Sequence, residues 1–309
     1  VLYFHHQSDF VMQISLIGLG KMGYPLALNM QRHHTVMAFD VQAALRKAIE
    51  AEGVRTAATL DALISHHAPR RVVWLMVPAG AIIDQILGEL LPMLDRDDIV
   101  IDGGNSNYRD SQARAEKASA QGIHYLDCGT SGGTSGARHG VCAMIGGNKD
   151  AFNHIEPLIR DIALPGGYLY CGPSGSGHFT KMVHNGIEYG MMQSIAEGFA
   201  HLQASGMDLD LKAIAGLYNT GSVIRGWLME LTENALRKDP QLASIKGIAH
   251  ASGEAQWMVE DAMARKMSIP TIALSLMARF QSQDPENFPA KVVAALRNEF
   301  GGHAVEKKG

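Results

Sequence analysis

The chain has 309 residues, of which 46% are hydrophobic and 19% charged, a globular composition long enough for two domains with separate cores. Its net charge of −4 leaves no basic footprint for nucleic acid, and its three cysteines, Cys128, Cys142 and Cys171, lack the spacing of a disulfide framework or a zinc site. No apolar run reaches the ~18 residues of a membrane span and no secretory signal pattern stands at the front, so a soluble protein of the reducing cytoplasm is expected.

The opening "VLYFHHQSDFV" has no clear period, and residues 1–11 read as a leader ahead of a natural start at Met12. From Met12, "MQISLIGLGKMGYPLALNM" reads as a short apolar strand, a glycine turn and a helix. Gly18, Gly20 and Gly23 make G-x-G-x-x-G: a tight turn, room for a pyrophosphate against the backbone, and close helix–strand packing. The helix N-terminus adds N–H groups and a positive dipole end. "TVMAFD" follows as a second strand and ends in Asp40, where a carboxylate would accept the ribose hydroxyls and repel a 2′-phosphate, favouring NAD.

Strand-like runs recur in "RVVWLMVPAG", "DIVIDGGNSN", "GIHYLDCGTSGG" and "VCAMIGG", separated by segments of helical period. The alternation predicts a doubly wound, mainly parallel sheet of the Rossmann type over residues 12–173. Ligands bind such sheets beyond the carboxyl ends of the strands, which makes Asn105, Ser131, Gly132 and Gly133 candidate contacts. After Gly172 the pattern turns helical, and residues 174–309 are expected to form an all-α domain with helices over 178–205, 209–219, 222–237, 253–267, 270–282 and 289–299.

The first of these helices contains "KMVHNGIEYG". At about 100° per residue, Lys181, His184, Asn185 and Glu188 share one face, with Tyr189 at its edge. A solvated face predicts the same amphipathic pattern. Against it stand the mixture of base, acid, amide and imidazole, and Gly186 and Gly190, whose cost to the helix suggests close packing by another element. Geometry alone leaves the two readings balanced.

The motifs "GLGKMG", "DGGNS", "SGGTSGARHG", "KMVHNGIEYG" and "LRNEFGGHAV" together resemble 6-phosphogluconate dehydrogenase of the decarboxylating kind, in particular its short, NAD-preferring branch. The resemblance covers nearly everything after Met12. It implies conversion of 6-phosphogluconate to ribulose 5-phosphate and CO₂ in the pentose phosphate pathway. Lys181 then corresponds to the general base and Glu188 to the general acid. Gly18, Leu19, Gly20, Lys21, Met22, Gly23, Asp40, Val77, Pro78, Ala79 and Asn105 match cofactor contacts. Asn105, Ser131, Gly132, Gly133, His184, Asn185, Tyr189, Arg279, Arg297 and His303 match substrate contacts. The family's tail residues come from a second subunit, so a homodimer or homotetramer with shared sites is implied.

Three departures from the long NADP branch stand out. Asp40 replaces an asparagine-arginine pair, Ser252 and Glu254 replace a lysine and a threonine on the substrate phosphate, and the extra helical repeat is missing. Arg225 is a candidate for the lost positive charge, a buried structural ion pair being the alternative. Neutral, a lysine accepts the hydroxyl proton; charged, it polarises the oxygen while CO₂ leaves, so no metal is called for. A neutral lysine near pH 7 requires a pKa ~3 units below its ordinary value. The alternatives are a non-decarboxylating β-hydroxyacid dehydrogenase of the hydroxyisobutyrate type, and a dinucleotide-binding sensor without turnover.

Overall fold

A computed structural model of the chain describes residues 11–67, 70–284 and 286–301, with only the backbone at 300 and 301. The expected leader, apart from Val11, lies outside the described residues, as does His303. The elements are β1 (Gln13–Ile17), α1 (Gly23–Met30), β2 (Thr35–Phe39), α2 (Ala43–Glu50), β3 (Arg55–Thr56), α3 (Leu60–Ser65), β4 (Val72–Leu75), α4 (Ala81–Leu90), β5 (Ile99–Asp102), α5 (Tyr108–Ser119), β6 (His124–Ser131), α6 (Gly133–His139), β7 (Val141–Gly146), α7 (Lys149–Ile162) and β8 (Ala163–Gly172). Six helices follow: α8 (Ser176–Gln203), α9 (Leu211–Asn219), α10 (Trp227–Lys238), α11 (Glu254–Ala264), α12 (Pro270–Ser282) and α13 (Phe288–Gly301). The chain divides into two compact units between His184 and Asn185, within α8.

The first unit holds an eight-stranded sheet of order β3-β2-β1-β4-β5-β6-β7-β8. Every pairing is parallel except β6 with β7, where Ser131 lies opposite Cys142. Alternate strand residues enter two separate cores: Ile14, Leu16, Val72, Trp74, Ile99 and Ile101 on one face, Ile17, Val73, Leu75 and Val100 on the other. Burial on both faces is what the near-continuous apolar strands require, and it makes the sheet doubly wound as expected. The strand order reverses between β1 and β4, opening a crevice at their carboxyl ends.

The second unit is helical. Tyr189, Ala255 and Leu276 form one small core, Ala215, Met229 and Leu236 another. The expected helix over 222–237 begins only at Trp227. Residues 222–226 form a turn instead: the Gly226 amide donates to Asn219 Oδ1 at 3.0 Å and the Arg225 amide to the Ser222 carbonyl at 3.2 Å. Arg225 is exposed and its guanidinium donates to the Ser222 carbonyl, which corrects the buried ion-pair reading. No helix among the described residues is long and apolar enough to cross a membrane.

Candidate active site

The predicted dinucleotide residues line the carboxyl ends of β2, β1, β4 and β5 in that order. Gly18 turns the chain at φ +101°, and a β-carbon there would lie 2.3 Å from the Met76 carbonyl oxygen. A β-carbon at Gly23 would fall 1.9 Å from the Gly18 carbonyl oxygen, so α1 can approach β1 only through glycine. At Gly20 it would meet nothing within 4 Å, leaving the backbone open on the side a pyrophosphate needs. Leu19 is buried in the core, Lys21 is exposed, and Met22 packs against the apolar cluster. These observations fit a dinucleotide.

Asp40 does more than the sequence suggests. One carboxylate oxygen accepts the Leu19 amide at 2.7 Å and the other the Gln42 amide at 2.8 Å, so Asp40 locks the glycine turn to the end of β2. Each oxygen keeps a second lone pair for a ribose hydroxyl. Beyond β4, Val77, Pro78 and Ala79 form a loop closed by Gly80 at φ +94°. Beyond β5, Asn105 is exposed between Gly104 and buried Ser106.

Lys181 lies on the first part of α8, which is seated directly on β6 and β7. A β-carbon at Gly129 would come 2.3 Å from Lys181 Cβ, and one at Gly177 would come 2.4 Å from the Met144 carbonyl oxygen. Asp127, fully buried on β6, accepts the Gly175 amide at 2.7 Å and the His178 amide at 2.8 Å, holding the helix N-terminus by hydrogen bonds and dipole together. His178 Nδ1 lies 2.7 Å from Ser111 Oγ. Lys181 is thereby only 6% exposed. Ser131, at the end of β6 before Gly132 and Gly133, places its Oγ 3.2 Å from His184 Nε2.

The polar face of α8 is not the wet one. Lys181 and Asn185 are buried and His184 and Glu188 half-buried, while Ile187 and Met191 are 51% exposed. In the helical unit, a β-carbon at Gly186 would meet Met258 Sδ at 2.2 Å and Ile272 Cγ2 at 3.3 Å, so α11 and α12 pack across it; Gly190 has ordinary contacts with α12. On the sheet side it is Gly129 and Gly177 that let the helix and its lysine sit close against β6 and β7.

Tyr189 is buried beneath Arg279, whose guanidinium carbon lies 3.4 Å from the ring centroid, a cation–π contact. The Tyr189 hydroxyl accepts the Ser252 amide at 3.3 Å, and Ser252 Oγ donates to Glu254 Oε2 at 2.5 Å. The two residues that replace the long branch's lysine and threonine thus pair with each other. Arg297 is exposed on α13.

Asp127, Gly129 and His178 were not among the expected site residues. Asp127 left a signal, an acid inside an apolar strand; Gly129 left none, because its role lies in what stands opposite it. Among the described residues no group of three or more His, Cys, Asp or Glu could hold a metal ion.

The family model described as the NAD binding domain of 6-phosphogluconate dehydrogenase matches residues 13–172, and that of the 6-phosphogluconate dehydrogenase C-terminal domain matches residues 177–288. The YqeC protein of Bacillus subtilis is 51% identical over 298 residues, covering 96% of this chain and 100% of that one. A Haloferax volcanii protein named as an NAD(+)-dependent, decarboxylating 6-phosphogluconate dehydrogenase is 40% identical over 300 residues, covering 96% and 99%. The solved 6-phosphogluconate dehydrogenase of Plasmodium falciparum superposes with a TM-score of 0.82 at 30% identity, over 96% of this chain and 66% of that one.

Proposed function

Since the chain belongs to the decarboxylating 6-phosphogluconate dehydrogenase family, we propose that it converts 6-phosphogluconate to ribulose 5-phosphate and CO₂ with NAD as oxidant. The observation that carries the reading is Lys181, an amine 6% exposed on a helix seated by glycines on the sheet. A nicotinamide cofactor bound in the first unit would supply the hydride acceptor. In this reading Lys181 acts as a neutral amine that takes the proton from the C3 hydroxyl as the hydride leaves C3. The resulting ammonium donates to the C3 oxygen, and the β-keto acid loses CO₂ into that electron sink. Glu188 then protonates C1 of the enediol. Lys181 and Glu188 lie about 10 Å apart along α8, enough for a small sugar acid to span.

Asp40 supports NAD over NADP, because a pinned carboxylate repels a 2′-phosphate. Asn105, Ser131, Gly132, Gly133, His184, Asn185, Tyr189 and Arg279 are the substrate contacts in this reading, with Arg297 and His303 reaching the site of a partner subunit in a homo-oligomer. The test is a coupled assay that follows NADH and CO₂ together with 6-phosphogluconate. Equal yields of both support the proposal; NADH without CO₂ would replace it with a simple β-hydroxyacid oxidation, and neither product would reject the substrate.

A further inference from the structure

We propose that Arg114 is a positioning residue for the dinucleotide, clamping the loop after β4 to the loop after β5 from beneath. The proposal rests on reading Val77–Ala79 and Asn105 as dinucleotide contacts. Arg114 sits in the middle of α5 with its side chain 2% exposed. Its Nε and Nη2 grip the two oxygens of Asp84 on α4 at 2.8 and 3.0 Å. Nη2 also donates to the Gly80 carbonyl at 3.1 Å, immediately after Val77–Ala79. Nη1 turns the other way, toward Ser106 Oγ at 3.4 Å and Asp102 Oδ2 at 3.7 Å.

Asp102 completes the clamp on the second loop. It is fully buried and accepts the Ser106 hydroxyl at 2.7 Å, the Tyr125 hydroxyl at 2.8 Å and the Gly104 amide at 3.1 Å. Both neighbours of Asn105 are therefore fixed while Asn105 itself faces outward. The two loops already touch, since a β-carbon at Gly104 would lie 2.9 Å from the Val77 carbonyl oxygen. One planar guanidinium thus sets their spacing. A lysine, with a single charged nitrogen, cannot hold Asp84, Gly80 and Ser106 at once. Burial opposes a charge here, but the hydrogen bond to Asp84 and the negative charges of Asp84 and Asp102 outweigh it and hold the guanidinium firmly protonated. A buried charge cluster adds little to stability compared with apolar packing; what this one adds is a defined distance between two exposed loops.

The test compares Arg114→Lys, Asp84→Asn and Asn105→Ala in the full chain, reading KM for NAD and for 6-phosphogluconate, the Kd of NADH by fluorescence, and the melting midpoint. Losing the bidentate grip should raise the NAD KM and the NADH Kd about tenfold in Arg114→Lys and about threefold in Asp84→Asn, with a smaller rise in the 6-phosphogluconate KM, because, of the substrate contacts, only Asn105 sits on a clamped loop. If either variant only melts earlier or yields less active protein, at unaltered NAD KM, the role is purely structural and the proposal falls. If Arg114→Lys does not fold, Asp84→Asn decides, because Asp84 is 50% exposed and outside the core. Asn105→Ala separates the two levels. A raised NAD KM there with none in the clamp variants overturns the clamp alone, and no change in any of the three overturns the loop reading with it.

Discussion

Gly129 on β6 stands directly against Lys181 on α8, so close that a β-carbon at 129 would lie 2.3 Å from the lysine's own Cβ. The absence of a side chain on one residue is what lets the other sit buried at the sheet. Gly129→Ala should therefore displace the base, costing about 1–3 kcal/mol in stability and lowering kcat by roughly tenfold or more as the amine leaves its near-attack position. Steady-state kinetics with thermal melting check both; a variant with normal kcat would show that the lysine tolerates displacement.

Lys181→Ala should abolish oxidation and decarboxylation together, a loss of about 10²–10⁴ in kcat, the range of a positioned base. Binding of NADH, measured by fluorescence titration, should be retained. Near-normal turnover would remove Lys181 from the base role.

Glu188→Gln should slow ribulose 5-phosphate formation by about 10²-fold or more while NADH binding stays intact, because an amide cannot deliver a proton to carbon. Incorporation of solvent deuterium at C1 is the direct readout. An unchanged rate assigns the protonation elsewhere.

Asp40→Ser should shift the ratio of kcat/KM for NAD and NADP toward NADP. It also removes the acceptor of the Leu19 and Gln42 amides, so a loss of about 1–3 kcal/mol in stability is expected alongside. A shift in melting with no change in the cofactor ratio would make Asp40 a turn lock and not a discriminator.

Stability should fall in mild acid through His67, which is buried beside Gln13 and whose pKa is pushed down to about 4 by burial, with His66, Arg55 and Arg71 adding to it. The unfolded chain takes up this proton from pH ~6.5 downward while the folded chain resists until about 4. The contribution is thus complete above the unfolded value and lost as pH falls between the two. His67→Gln should flatten the decline in melting midpoint across that window; an equally steep decline would place the effect in other groups.

Much of the first unit is legible in the sequence. Strand alternation, the spacing of Gly18, Gly20 and Gly23 and the acid at Asp40 are local patterns whose physical meaning does not depend on distant residues. The helical half was legible in period but less so in its ends: residues 222–226 carry helical spacing, yet Asn219 and Gly226 capture the backbone for a turn. For the face of "KMVHNGIEYG", amphipathic spacing grouped Lys181, His184, Asn185 and Glu188 on one side but could not say which side was buried.

Sequence alone determined the order of elements, the dinucleotide turn and the set of polar groups on α8, because each follows from short-range periodicity and residue chemistry. Tertiary structure alone decided what those groups face. Lys181 is buried because Gly129, fifty-two residues earlier in the chain, leaves room for it. Arg114 lies in a segment that shows only helical period in the sequence, and becomes a clamp only because Asp84, Gly80 and Asp102 converge on it. Burial and pairing are properties of what surrounds a residue, and the neighbours that confer them are brought there by the sheet.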